Sequence, residues 1–341
     1  MQHRLIHIDA AKVVASNLIV LHHFTVYGPL AEALDLAAPR STDWFFEYAR
    51  MAVQVFLVIG GYFAASSLAP HGYPQRGQPL RNIARRFVRL VLPLGVALLL
   101  TVAVSALTRI WLQSDFVPTA PGWLQILTHA TLTYGVLGVE PLSIGIWYVA
   151  IDFQLFALMS ILLWGGRRRA QWLVALAGLA SLFYFNLQPQ GDNWAPYFFG
   201  SYAMGAFAWW VGHARHSGKL LYVLAIAGVA ALAWDFRDRI ALAWVVAMVL
   251  GVARSRLSGG PSVLARSPRL YAWIRAGARS SYALFLTHFS VWMLANALWV
   301  NLGGASVGAL GFVTASAWVL CLLAAMGFER YVERPLASIR M

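Results

Sequence analysis

The chain has 341 residues, of which 60% are hydrophobic and 11% charged, and its formal net charge is +13. A soluble globular domain has about 25% charged residues, so an ordinary soluble protein is excluded. Several apolar runs approach or exceed the roughly 20 residues that span a bilayer. The single cysteine, Cys321, excludes an internal disulfide and any multi-cysteine metal site.

A bilayer core offers no water to backbone groups, so each apolar run is expected to be an α-helix. The fold class is therefore all-α, a polytopic membrane bundle of about ten transmembrane helices. The runs lie near 10–28, 48–68, 90–109, 146–164, 171–187, 194–213, 219–234, 239–254, 280–300 and 308–328. The first, from Val13 to Phe24, lacks a small-residue cleavage site and contains polar residues, so it reads as a retained helix rather than a signal peptide. No repeat or appended soluble domain is visible, and residues 1–341 read as one membrane domain.

The segment 110–145 is ambiguous, because Trp123 to Val139 is apolar enough to suggest a further crossing. Charge distribution decides it. If that segment stays on the outer side and the N-terminus is cytoplasmic, only Arg40, Arg50, Arg109, Arg237 and Arg239 of the 26 basic residues fall outside. Cytoplasmic loops are the ones enriched in Lys and Arg. A crossing at 123–139 would invert every later loop and put Arg167, Arg168 and Arg169 outside. Residues 110–145 are thus expected to be an outer, re-entrant or interfacial segment, with both termini cytoplasmic. Trp44, Trp123, Trp194, Tyr197 and Trp299 fall near helix ends, as an aromatic belt would.

Ionisable groups inside a span are costly, at about 2.5–3.5 kcal/mol on insertion scales, and so point to function. At 100° per residue, Asp9, Ser16 and His23 lie about 60°, 40° and 20° from Lys12 on the first helix. Together they form one narrow polar stripe. Lys12 and His23 are about 16 Å apart along the axis, so the stripe joins the inner surface to a deep histidine. His22 points to the other side. At the mouth of the third span, Arg81, Arg85, Arg86 and Arg89 occupy about 140° of one face. They can serve as a positive-inside anchor or as a site for an anion, for which guanidinium is well suited. Asp152, in WYVAIDFQLF, is expected to face the interior and pair there. His288, in SYALFLTHF, reads as a polar contact within the ninth span.

In order and spacing these residues resemble the membrane acyltransferase-3 family, over essentially the whole chain. Lys12, ten positions and His23 are similar to its first-helix motif, and Arg86-Phe-Val-Arg89 to its Arg-x-x-Arg. Ser281 to His288, Glu333-Arg-Pro335 and the FLVIGGYF segment match further family patterns. Two departures stand out. Many members have a glutamate where Asp152 stands, and the esterase-like C-terminal domain of some members is not seen here.

The resemblance implies an O-acyltransferase of a bacterial cytoplasmic membrane. It would move an acyl group, commonly acetyl, from cytoplasmic acyl-CoA to a hydroxyl of an extracytoplasmic or lipid-linked glycan. CoA is polyanionic, so Arg85, Arg86 and Arg89, with Lys12 beside them, would form its entrance. His23 would be the general base, because a histidine with a pKa near 6.5 suits proton abstraction from a hydroxyl. A thioester is already activated, so no metal is expected. Asp9, Ser16, Tyr148, Asp152 and His288 are supporting candidates. Ser16, Tyr148 or a backbone amide could stabilise the oxyanion. The alternative is a transporter or flippase for a lipid-linked sugar, but the inverted repeat that such a protein would display is not visible. Nucleic acid is not an expected partner, because the positive charge lies in short loops along one membrane face; membrane lipid is. The oligomeric state is left open.

Overall fold

The computed structural model describes residues 6–75, 78–212, 217–256, 267–303 and 306–338. Arg4, Arg76, Arg215, Arg266 and Arg340 of the expected inner basic set lie outside them, as does the side chain of Arg256. In chain order the helices are α1 (Ile6–Phe24), α2 (Pro29–Ala37), α3 (Pro39–Glu47), α4 (Val53–Leu68), α5 (Pro79–Trp111), α6 (Trp123–Ala130) and α7 (Trp147–Gly166). Then follow α8 (Ala170–Phe183), α9 (Ala195–Val211), α10 (Ser217–Trp234), α11 (Asp238–Arg256), α12 (Pro268–Asn301), α13 (Val307–Phe328) and α14 (Arg334–Ala337). No strand occurs among the described residues.

Each of the ten apolar runs falls on a helix. Five stretches are long and apolar enough to cross a membrane: Pro39–Leu68, Pro79–Trp111, Trp147–Leu187, Pro268–Asn301 and Val307–Ala337. The pair α1 and α2, bent by 95°, is apolar enough only when taken together, as a broken span or a re-entrant loop. Gly218–Trp234 of α10 is apolar but shorter, and α11 has charged residues at both ends. The chain is thus an all-helical, multi-pass membrane protein. α6 has eight residues, about 12 Å of helix, far short of a roughly 30 Å hydrocarbon core.

The chain divides into two compact units. One takes in the described residues of Val53–Val88 and Tyr148–Val263, the other those of Leu5–Ala52, Arg89–Trp147 and Leu264–Met341.

The first unit is built on α4 against α9. Small residues let two membrane helices approach closely, and here the backbones touch. A Cβ on Gly61 would stand 1.8 Å from the carbonyl oxygen of Tyr202, and one on Gly205 1.9 Å from that of Val58. Leu57, Ala65, Leu155, Met159, Tyr202 and Trp210 fill the core. A buried hydrogen bond from Ser201 Oγ to Gln54 Oε1 (2.7 Å) fixes the register. The indoles of Trp210 and Trp209 donate to the carbonyls of Ala69 and Pro70 (2.7 and 3.1 Å), pinning the turn after α4. Arg237 is buried and donates to Leu182 O (3.0 Å) and Asn186 Oδ1 (2.7 Å). A cation near the end of α8 meets the negative pole of that helix.

The second unit is built on α1 against α12. Phe24 stacks on Trp292, ring centroids 3.9 Å apart, and the Trp292 indole donates to Tyr27 O (2.7 Å). The chain then turns at Gly28, whose φ is +87. A Cβ there would lie 2.5 Å from Asn296 Oδ1, the oxygen that accepts the Leu30 N–H at 2.8 Å. Asn296 thereby caps α2 from another helix, and this sets the bend. Trp318 donates to Asn17 Oδ1 (2.9 Å), joining α13 to α1. Of the residues expected in an aromatic belt, Trp44, Trp123 and Trp194 are exposed. Tyr197 and Trp299 are buried and pack inside the protein instead.

Candidate active site

The polar stripe of α1 keeps its order in the structure. Asp9 and Lys12 are half-buried, while Ser16 and His23 are buried. Lys12, Arg275 and Arg279 all lie within electrostatic reach of Asp9. Ser16 Oγ donates to its own helix, at Val13 O (3.1 Å). His22 turns away and donates through Nδ1 to Phe45 O (3.2 Å), which accounts for it structurally.

His23 meets His288. Its Nδ1 lies 2.8 Å from His288 Nε2, with the rings within 12° of parallel, and both side chains are buried. The neighbouring contact fixes the direction of this bond. His288 Nδ1 lies 2.9 Å from Leu284 O, and a carbonyl only accepts, so Nδ1 bears the proton. In a neutral ring the other nitrogen then has a lone pair. His288 Nε2 therefore accepts from His23 Nδ1–H, and the lone pair of His23 sits on Nε2. A helix carbonyl, one imidazole and a second imidazole form a chain that leaves a base at its end. Orientation of a basic histidine through its second nitrogen is the logic of catalytic triads.

The third element is Gly145. Its φ is +86, which favours glycine. A Cβ there would lie 3.2 Å from His23 Cε1 and 3.4 Å from His288 Cε1. The bare backbone thus forms a wall beside both rings. The chain is held nearby by His129 on α6, which is buried. The His129 Nδ1–H donates to Gln125 O (2.6 Å), and Nε2 accepts the Leu142 N–H (3.0 Å). Tyr134 stacks on the His129 ring at 4.3 Å. Both ring nitrogens are engaged in the neutral form, and burial pushes the imidazole pKa below its usual 6.5.

A second constellation lies in the other unit. Asp152, buried on α7, pairs with Arg86 of α5, whose Nε and one terminal nitrogen donate to Asp152 Oδ2. The expected partner of Asp152 is thus Arg86. The Phe156 ring lies 5.5 Å from the same guanidinium. Tyr148 and Tyr202 are within electrostatic reach of the pair, and Gly60 leaves room beside Tyr202 and Asp152. Tyr148 also packs on Phe56, centroids 6.0 Å apart. Two of five guanidinium N–H donors are used, which leaves three for another acceptor. Arg81, Arg85 and Arg89 are exposed on α5, and Arg89 lies within electrostatic reach of Glu333. Both arginines of Arg-x-x-Arg therefore have a carboxylate nearby.

His23 with His288, and Arg86 with Asp152, are brought together as pairs. Sequence reasoning had singled out all four residues but paired none of them. Gly145 and His129 were missed. A lone glycine before a helix has no periodic signal, and a single histidine in an apolar, non-crossing segment such as His129 has none either.

A family profile described as an acyltransferase domain, that of acyltransferase family 3, matches residues 5–328. No curated protein and no solved structure matches the chain.

Proposed function

The chain belongs to the membrane acyltransferase-3 family, and on that premise we propose that it is an acyl-CoA-dependent O-acyltransferase with His23 as general base. The observation behind this reading is the geometry of the histidine pair, from which its proton order follows. With Nδ1–H committed to His288, His23 Nε2 is the basic atom. The acceptor hydroxyl gives its proton to Nε2 as its oxygen adds to the thioester carbonyl. The resulting imidazolium remains hydrogen-bonded to His288. Collapse breaks the C–S bond, and the proton passes from Nε2 to the departing thiolate. The products are the acyl ester and CoA thiol, and the base is regenerated.

The donor is an acyl-CoA, by preference acetyl-CoA, that approaches from the cytoplasm past Arg85, Arg86, Arg89 and Lys12. Asp152 holds the Arg86 guanidinium in a fixed place with three N–H groups left for phosphate oxygens. The acceptor is a hydroxyl of an extracytoplasmic or lipid-linked glycan. The chain makes ten crossings of a bacterial cytoplasmic membrane, with 110–145 on the outer side and both termini inside. Supporting this topology, Pro79 and Asn82 of α5 line one cavity with Arg167 and Arg168. Two arginine groups assigned to the inner side thus share one end of their unit.

The test is transfer from radiolabelled acetyl-CoA in membranes holding wild type or His23→Ala. Loss of transfer in the variant is expected. Transfer near the wild-type rate would remove His23 from the mechanism.

A further inference from the structure

A cavity of about 380 Å³ opens in the first unit, between the turn after α4, the start of α5 and the end of α7. Its size falls in the range of about 300–1,000 Å³ typical of small-molecule sites. Tyr73, Gln75, Asn82, Trp164, Arg167 and Arg168 supply its chemistry, and no acidic residue lines it among the described residues. We propose that this cavity holds the adenosine 3′-phosphate 5′-diphosphate end of the acyl donor. The proposal rests on the donor being an acyl-CoA.

Three kinds of group converge here. Guanidinium forks at Arg167 and Arg168 match phosphate oxygens. Tyr73 and Trp164 offer aromatic faces, on which any base can stack. Gln75 and Asn82 offer carboxamides, whose donor and acceptor match the N6 and N7 edge of adenine. A positive-inside anchor calls for basic residues near the membrane surface, but it calls for neither carboxamides nor a cavity.

The walls are built rather than incidental. The turn after α4 is pinned by the Trp209 and Trp210 indoles and closed by a bond from Gln75 N to Leu68 O (3.0 Å). Gly72, at φ +88, packs so tightly that a Cβ would lie 2.0 Å from Gln171 Nε2. Arg167 is stronger evidence. Its φ is +48, in the left-handed region that an arginine adopts only at a cost. Two glycines stand just before it, yet Gly166 keeps an ordinary φ of −75. Strain falls on the residue whose side chain lines the cavity, and such strain collects at functional sites. The depth also fits. Arg86 stands one turn, about 6 Å, beyond Asn82 on α5. A donor seated by its nucleotide would extend its diphosphate and pantetheine arm towards the Arg86 guanidinium.

The test uses the full chain in nanodiscs, with adenosine 3′,5′-bisphosphate as the binding probe. Wild type should bind it, and the double variant Arg167→Ala, Arg168→Ala should bind at least about tenfold more weakly. The same variant should raise KM for acetyl-CoA by a similar factor and leave kcat within about twofold. Transfer from S-acetylpantetheine, which has no nucleotide, should not change. Arg167→Gly separates binding from folding, because relief of the left-handed strain should raise Tm while the bisphosphate binds more weakly. Unchanged bisphosphate affinity and unchanged KM in the double variant would overturn the proposal. If wild type transfers nothing from acetyl-CoA, the donor reading falls. Bisphosphate binding lost in the double variant would then still establish a nucleotide site, and no wild-type binding would sink that too.

Discussion

Replacement of His288 by leucine tests the histidine pair most directly. Leucine fills similar space but offers no lone pair to His23 Nδ1–H, now 2.8 Å from its acceptor. In the ground state a buried N–H loses its partner. On the proposed mechanism His23 is an imidazolium in the transition state, and the lost bond is one to a charged group. Hydrogen bonds of that kind contribute about 1.5–3 kcal/mol. At tenfold per roughly 1.4 kcal/mol, kcat should fall by about 10- to 150-fold. KM for the donor should hardly move, since His288 acts through His23 as a positioning residue. His288→Gln should recover part of the loss, because a carboxamide can accept from His23 and donate to Leu284 O. The assay is steady-state acetyl transfer in nanodiscs, with kcat and KM separated. A His288→Leu enzyme within about twofold of wild-type kcat would refute the proton order argued above.

Gly145→Ala should keep the fold and lower kcat by about tenfold, through left-handed strain of about 1–2 kcal/mol and a methyl pressed on both imidazoles; circular dichroism and turnover check this together. Asp152→Ala should destabilise the protein by about 1–3 kcal/mol, below the 3–5 kcal/mol of a fully buried pair because the Arg86 side chain is 31% exposed. The double variant Arg86→Leu, Asp152→Leu should recover much of that in Tm. His129 predicts an acid-side loss of stability. Its folded pKa is depressed, so the unfolded chain takes up the proton first as pH falls through about 6.5. Stability should then drop by at most about 1.4 kcal/mol per pH unit and level off once the folded form is also protonated. Thermal melts of wild type and His129→Gln across pH 5–8 would test this, with the slope expected to shrink in the variant.

The helical architecture was legible because the bilayer imposes apolar length on every crossing, and all ten runs fall on helices. How many of them cross is less legible. α10 and α11 fall short in length or charge, and composition does not say what covers such helices. The site was legible as residues, not as pairs. The stripe from Asp9 to His23 is a local property of one helix, and 100° steps recover it. Pairing His23 with His288 needs the packing of α1 on α12, set by Phe24, Trp292 and Asn296, which no periodicity encodes. The four α5 arginines read as an anchor or a site for an anion. For Arg86 one anion is already within the chain, at Asp152. Gly145 matters through its φ and the rings beside it, neither of which is written in its neighbours.

The two histidines lie 265 positions apart in the chain. A ribosome therefore releases His23 long before its partner exists. In the interval α1 enters the membrane with a polar stripe and no α12 to receive it. The histidine pair takes shape only as the ninth apolar run arrives, so it is among the last contacts that biosynthesis completes. A nascent chain stalled before α12 would be inserted and largely helical but would lack the pair. Two co-expressed fragments that part between α11 and α12 would each be silent until they met.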